Sequence, residues 1–569
     1  MYSQKAFEIL DASINNAVFI DEKAKDFYSG SAINPQVLEE QLSFDLYKTF
    51  KDNGKNLTVH KFESSDINET KTLEYLFKGK DLILLDWELN ELTGQEHSLN
   101  LLHNAVSSPN INFCCIYSSS GNFNSIPLFL DAYFSGLTID DFETIRNEYS
   151  HFEKNDLVNI LNNSNEEIEL FVEEESVDFS LFPINELRNK PHNYLLRLIH
   201  ISLNIDEFHL SDEAKSKYEV LSIGNESFMI NNTFVLTLKK DFEEDRDYEK
   251  LLKRISDIVI TNEGSFFQLL GLEMQAIFND NESFIDSSIL KSSTEALFQF
   301  RNHLGDDKAF GTIIKKLLLE QATLKLRTAK LELLKTDFLD FKTKELAEKE
   351  PTHEALFNLN VFYNSVKVKS LHTEDIPNLN FGDIFKGAGK DYYLCITALC
   401  DCLYPNKIDS NFYFAKGEEF DDLETALRLG DTAFLSFLPN GKVVLWGDKE
   451  IVKKPKIKKN KEESDDDFKV REELEFLKFE NEAYKKFLYK PFFIKPKVFN
   501  VDDNKIQDNK LRIWDITNRV TKQGRSHNLN YYEIEYVSTL RDDYTQRIAN
   551  HAFGHPSRVG VDFAKIKQD

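Results

Sequence analysis

The sequence predicts a multidomain chain: an α/β domain first, a helical region next, and a β-rich C-terminal domain last. Three observations predict it. The N-terminal part alternates short, fully apolar runs with amphipathic stretches. A middle block carries apolar residues at three- and four-residue spacing, the period of a helix face. From about residue 380 onward, short apolar runs are separated by turn residues, the pattern of strands.

Length and composition bound the reading. A chain of 569 residues is long enough for roughly two to four domains with full cores. The formal net charge is −27, which disfavours nucleic acid as a partner over the general surface. The basic run Lys453–Lys459 is followed at once by acidic residues and reads as part of a solvated linker. No apolar run is long enough to span a bilayer, and no apolar segment follows the first residues as in a secretory signal. The cysteines, Cys114, Cys115, Cys395, Cys400 and Cys402, are few, odd in number and mostly within apolar runs. Reduced thiols and a cytoplasmic location are expected from this usage.

The elements follow in order. Val18–Asp21 is a strand, Pro35–Lys51 an amphipathic helix and Leu57–Phe62 a half-polar strand near an edge. Lys71–Phe77 is a helix, Leu82–Asp86 a central strand, Gln95–Ala105 a helix and Ile111–Tyr117 a buried strand. This βαβαβαβ order predicts a parallel, doubly wound sheet with crossover helices. Residues at about 119–220 are acidic and mostly helical, with an amphipathic stretch at Ile184–Leu203. The strand pattern resumes at Ser227–Ile230, turns at Asn231-Asn232 and continues through Thr233–Leu238 into Lys239-Lys240. Residues 1–242 therefore read as one α/β domain with a helical insertion before its last strand.

Residues 243–370 form the helical region, with helices expected at Tyr248–Val259, Phe266–Phe278, Ile285–Arg301 and Phe310–Glu348. Pro351 is expected to start a separate element. Residues 371–569 form the β-rich domain. Its expected strands are Phe381–Phe385, Tyr392–Thr397, Ala433–Phe437 and Lys442–Trp446, the last two joined by the turn Pro439-Asn440-Gly441. A charged stretch at about 449–468 has no apolar periodicity and reads as a flexible loop. Further strands are expected around Phe492–Phe499 and Leu511–Trp514, and Tyr532–Ile548 reads as a strand leading into a helix.

Two apolar strands of the first domain end in carboxylates: Asp21-Glu22 after the first, Asp86 after the central one. Acids at the C-terminal ends of parallel strands sit where open α/β sheets bind ligands. Phosphoryl transfer to a carboxylate needs a nucleophilic Asp, further acids to hold Mg²⁺, a hydroxyl and a cationic side chain. Asp86 is the candidate acceptor, and Asp21, Glu22, Asp86 and Glu88 are the candidate metal-binding residues. Ser118 is the candidate hydroxyl, and Lys239 the candidate cation, with Lys240 as the alternative. Taken singly, each acid reads equally well as a strand-end group capping a turn or helix. The ordered set argues for a site.

These residues resemble the receiver domain of two-component response regulators, over about 1–118 and 221–242. The resemblance implies a flavodoxin-like fold, bound Mg²⁺ and a histidine kinase as phosphodonor. The helical insertion departs from that pattern, and it places Lys239 far along the chain. If neither lysine reaches Asp86, the resemblance implies a non-phosphorylated pseudo-receiver adaptor.

In the last domain, Phe381-Gly382-Asp383-Ile384-Phe385, Cys400-Asp401-Cys402 and the ending Arg558–Phe563 resemble a module of bacterial conflict systems, similar to SH3-like barrels of the PemK toxin type. Together the two resemblances imply a component of an anti-phage defence or stress phosphorelay of the Detocs kind, with a downstream protein effector as a partner; the helical region reads as a spine, a dimerisation module or both, so a homodimer is a further expected partner. A gated toxin-like nuclease is the alternative. Cys400, Cys402, His551 and His555 offer four possible zinc ligands, but their spacing is unlike that of structural zinc sites. There is neither a phosphate-cradling Gly-rich loop nor a His-box with an ATP-lid pattern, so the chain reads as a phosphoacceptor and not as a kinase or NTPase.

Overall fold

The computed structural model describes residues 1–25, 32–34, 36–90, 94–107, 112–119, 121, 123–161, 163, 165–184, 187–210, 218, 220–223, 227–262, 265–280, 291, 293–304, 307–347, 350–366, 377–429, 434–447, 457–460, 464–489, 494, 496–515 and 531–554. The chain divides into two units. One is Met1–Leu297 with Ile314–Glu345, the other Phe298–Ile313 with Leu346–Asp569.

The first unit is built on a seven-stranded sheet. Its strands are β1 (Asn16–Asp21), β2 (Asn56–Lys61), β3 (Leu82–Leu85), β4 (Asn112–Ser118), β5 (Val220–Ile223), β6 (Ser227–Ile230) and β7 (Thr233–Lys239). The spatial order is β2-β1-β3-β4-β7-β6-β5. The first five are parallel, with Ala17 opposite both Leu57 and Leu82, Leu82 opposite Phe113, and Asn112 opposite Thr233. Strands β5 and β6 add an antiparallel edge. Asn231, at φ +53°, supplies the left-handed residue that closes the β6–β7 hairpin.

The parallel strands read as continuous apolar runs because both sheet faces are covered. On one face, Ala17, Phe19, Leu82, Leu84, Cys115, Phe234 and Leu236 belong to one core. That core takes in residues of α1 (Tyr2–Ser13), α2 (Leu38–Asp52), α10 (Tyr248–Val259) and α11 (Ser265–Asp280). On the other, Val18, Ile20, Ile83, Leu85, Cys114, Ile116 and Val235 meet α3 (Thr70–Phe77), α4 (Gly94–Val106) and α5 (Ile126–Phe134). Residue period two assigns these rows, and it governs the site below.

The segment between β4 and β5 is helical: α5, then α6 (Ile139–Glu148), α7 (Lys154–Leu161), α8 (Asn165–Glu174) and α9 (His192–Leu203). It has its own core around Phe142, Ile145, Phe182, Leu195 and Ile199. Thr138 and Asp141 form a capping box at the start of α6. Every residue of α9 from Tyr194 to Leu203 is buried, so this helix is the spine of the insertion.

The expected helix Phe310–Glu348 is divided. Helices run over Asp307–Leu326 and Thr336–Glu345, with a 3₁₀ turn at Glu332–Leu334 between them. Tertiary contacts fix the break: Leu333 is fully buried, the Glu332 N–H donates to Glu273, and Glu332 pairs with Lys5 at 2.6 Å. Of the expected helix Ile285–Arg301, the part from Thr294 onward lies in the helix Thr294–Leu304, and residues 281–290 lie outside the described ones.

The second unit contains a closed, six-stranded antiparallel barrel. Its strands are β9 (Asp383–Lys386), β10 (Asp391–Cys395), β11 (Asn411–Glu419), β14 (Pro496–Val501), β15 (Lys510–Asp515) and β16 (Tyr532–Leu540). The chain of pairings β10-β9-β16-β15-β14-β11 closes because β11 also pairs with β10. Phe385, Phe412, Phe414, Phe499, Leu511 and Ile513 pack in one of its cores. β12 (Leu435–Leu438) and β13 (Lys442–Leu445) extend from β11, and β8 (Ser365–Val366) pairs with β16. Thr352 caps the helix His353–Asn364, which begins just past Pro351. Strand β11 escapes a sequence reading because Lys416 and Gly417 interrupt its apolar alternation.

A helix at Asp465–Tyr489 begins inside the stretch expected to be a flexible loop. Helix-forming Glu, Lys and Leu, not apolar periodicity, specify it. Arg428 braces it by pairing with Glu473 at 3.1 Å and lying 4.2 Å from the Phe476 ring centre. Residues 448–456 and 461–463 of that stretch lie outside the described ones.

Candidate functional site

Asp21, the last residue of β1, and Asp86, just past β3, lie at the carboxyl edge of neighbouring parallel strands. Both continue the rows of Phe19 and of Leu82 and Leu84, so both fall toward the same sheet face. Lys240 continues the row of Phe234, Leu236 and Leu238 on β7 and falls toward that face too.

The three side chains meet. The Lys240 ammonium lies 2.7 Å from Asp21 Oδ2 and 3.1 Å from Asp86 Oδ2. The Lys240 and Asp21 side chains are wholly buried, and that of Asp86 is 13% exposed. The Lys240 Nζ also lies 5.7 Å from the Tyr117 ring centre and 6.0 Å from that of Phe19. Backbone donors hold the acids: Lys23 N–H to Asp21 Oδ1 at 2.7 Å, Trp87 N–H to Asp86 Oδ1 at 2.8 Å.

Lys239 is the sequence's candidate cation, with Lys240 as the alternative. It ends β7 as the strand's one exposed residue and carries no ion pair among the described residues. One residue along a strand reverses the side chain, so Lys240 points where Lys239 does not. The Lys240 N–H donates to the Ser118 carbonyl at 2.8 Å, continuing the β4–β7 ladder past its last paired residues.

Ser118 ends β4, buried, and continues the row of Cys114 and Ile116 on the opposite face from Asp86. Glu22 is half-buried and accepts the Asn90 backbone N–H; Glu88 is exposed. Ser98 ties the loop after Asp86 by donating to the carbonyls of Asp86 and Trp87, each at 2.8 Å.

Burial raises the Asp86 carboxyl to about 7; Lys240 opposes the rise and Asp21 adds to it. Lys240 is held above the ordinary lysine range: burial works against its charge, and the two carboxylates outweigh burial. One lysine for two buried carboxylates leaves one negative charge uncompensated when both are ionised. That excess, on an all-oxygen donor set, suits Mg²⁺. Among the described residues, however, no group of three His, Cys, Asp or Glu side chains stands ready to hold a metal. The acids that converge do so on Lys240.

Sequence reasoning missed the support behind Lys240. Tyr117 donates to Asp245 at 2.8 Å, Arg254 pairs with Asp245, and Arg254 also donates to the Lys239 carbonyl at 2.8 Å. Asp245 is fully buried. No local motif marks it, because its partners lie on β4 and α10.

The possible zinc ligands do not assemble. Cys400 is exposed, Cys402 is buried and donates to the Thr397 carbonyl, and His551 packs its ring on Phe434. His555 and Arg558–Phe563 lie outside the described residues.

A family model described as the response receiver domain matches residues 13–167. The matched span holds Asp21, Asp86 and Ser118, and ends within α8 of the insertion. Lys240 lies beyond it and reaches the receiver site only through the fold. No curated protein and no solved structure matches the chain. No helix among the described residues is long and apolar enough to cross a membrane.

Proposed function

We propose that the chain is a response-regulator-like signalling protein whose Asp86 accepts a phosphoryl group from a partner histidine kinase. The observation that carries this reading is the Asp21–Lys240–Asp86 contact at the carboxyl edge of a parallel sheet, where both carboxylates lie inside the receiver match and Lys240 joins them from beyond it. An Asp86 carboxylate oxygen attacks phosphorus, and the phosphorus–nitrogen bond to the donor imidazole breaks. Lys240, already 3.1 Å from Asp86, supplies positive charge against the phosphoryl oxygens. Asp21, Glu22 and Asp86 would hold Mg²⁺, which supplies further charge neutralisation.

Incubation with acetyl phosphate and Mg²⁺, followed by intact mass, tests the reading. One added phosphoryl group on the native chain, and none on Asp86→Asn, is expected. An unchanged mass, with acetyl phosphate and with a cognate kinase, leaves the pseudo-receiver adaptor as the surviving reading. A role in an anti-phage or stress phosphorelay, with the barrel passing the signal to a protein effector, extends this proposal. Kinase genes beside this one would support it.

A further inference from the structure

A cavity of about 550 Å³ lies beside the exposed end of β7. Lys239 lines it, together with Phe123 and Phe129 from the segment after β4 and His200, Glu207 and Phe208 from the insertion. It therefore exists only because the insertion returns to the sheet edge.

Three observations point to a ligand. His200 is 9% exposed, and its Nδ1 has no hydrogen-bond partner among the described residues. A buried ring nitrogen without a partner is costly, and a ligand group would satisfy it. Lys239 brings an unpaired ammonium to the cavity in a chain of net charge −27. Phe123, Phe129 and Phe208 stand together among polar wall residues that include Gln95, Asn124, Ser125 and Glu207, and the Phe129 ring lies 5.0 Å from Phe208 and 5.8 Å from Trp87, the residue after Asp86. Aromatic side chains beside convergent polar groups can hold the flat body and the polar head of one small molecule.

We propose that this cavity binds a small organic anion with a flat aromatic body. Its anionic head meets Lys239, its body lies against the phenylalanines, and a polar group meets His200 Nδ1. This site is separate from the phosphoacceptor, since Lys239 and Lys240 leave β7 toward opposite faces.

Titration of the full chain with phenyl phosphate, followed by calorimetry, tests the proposal. Saturable binding is expected, weakened at least about tenfold by Lys239→Ala and by His200→Leu, and retained in Asp86→Asn. Leu128→Trp, which fills the cavity, is expected to abolish it; circular dichroism checks that this variant folds, and the other two variants decide if it does not. No saturation by phenyl phosphate or benzoate up to about 10 mM overturns the proposal. So does binding that survives Lys239→Ala but is lost in Asp86→Asn, because the probe then occupies the phosphoacceptor. Neither result bears on whether Asp86 accepts phosphate.

Discussion

Lys240 stands 3.1 Å from Asp86 although more than 150 residues of chain separate them, and it reaches Asp86 from a buried position between Tyr117 and Phe19. The same ammonium holds Asp21 at 2.7 Å, so one cation organises the edge of two strands.

Removing that cation is expected to be costly. Lys240→Ala leaves two buried carboxyls facing each other, and breaking a buried pair costs about 3–5 kcal/mol. Protonation of Asp86 relieves part of this, so a loss near ~3 kcal/mol is expected in urea denaturation at neutral pH. Lys239→Ala, at an exposed position, is expected to change stability by less than about 0.5 kcal/mol. Equal losses for the two variants would contradict the placement.

Phosphoryl acceptance should depend on pH. The Asp86 carboxyl is raised to about 7, and only its ionised form is a nucleophile. The rate of acceptance from acetyl phosphate is expected to rise as pH increases through about 7. Saturating Mg²⁺ should move the midpoint lower, because a bound cation favours the carboxylate. A rate that stays flat across this range, with or without Mg²⁺, would show that Asp86 titrates elsewhere.

The same shift sets a stability trend. An unfolded Asp titrates near ~4, so between there and about 7 the folded state keeps a proton that the unfolded state has released. Asp86 therefore contributes a loss of stability as pH rises through that window. Burial also raises Asp131 and Asp383 to about 7, each opposed by its partners, and they act in the same direction. The difference between native protein and Asp86→Asn isolates Asp86: melting points against pH should fall less steeply in the variant.

Asp245 is expected to matter without touching Asp86. Asp245→Ala strands the Tyr117 hydroxyl and half of the Arg254 ion pair behind Lys240. A destabilisation of about 3 kcal/mol is expected, against about 1 kcal/mol for Tyr117→Phe, which removes one hydrogen bond. Chemical denaturation of both variants checks the ranking.

In the barrel, Gly382 holds φ +92°, and a Cβ there would stand 2.7 Å from the Leu540 carbonyl oxygen. Backbone cannot yield as a flexible side chain can. Gly382→Ala is expected to destabilise the second unit by at least about 2 kcal/mol, seen as an earlier unfolding transition.

What the sequence determined by itself is local. Uninterrupted apolar runs marked β1, β3 and β4, and their terminal acids marked Asp21 and Asp86, because strand ends and charge can be read from adjacent residues. Tertiary structure decided the rest. Whether Lys239 or Lys240 enters the site depends on the pleat of β7 relative to strands far away in sequence, and a register difference of one residue leaves no trace in composition. Closure of the barrel depends on the β10–β11 pairing, which rests on backbone hydrogen bonds that every residue but proline can make. The cavity at His200 needs the insertion to fold back beside β7, a non-local contact that no motif records.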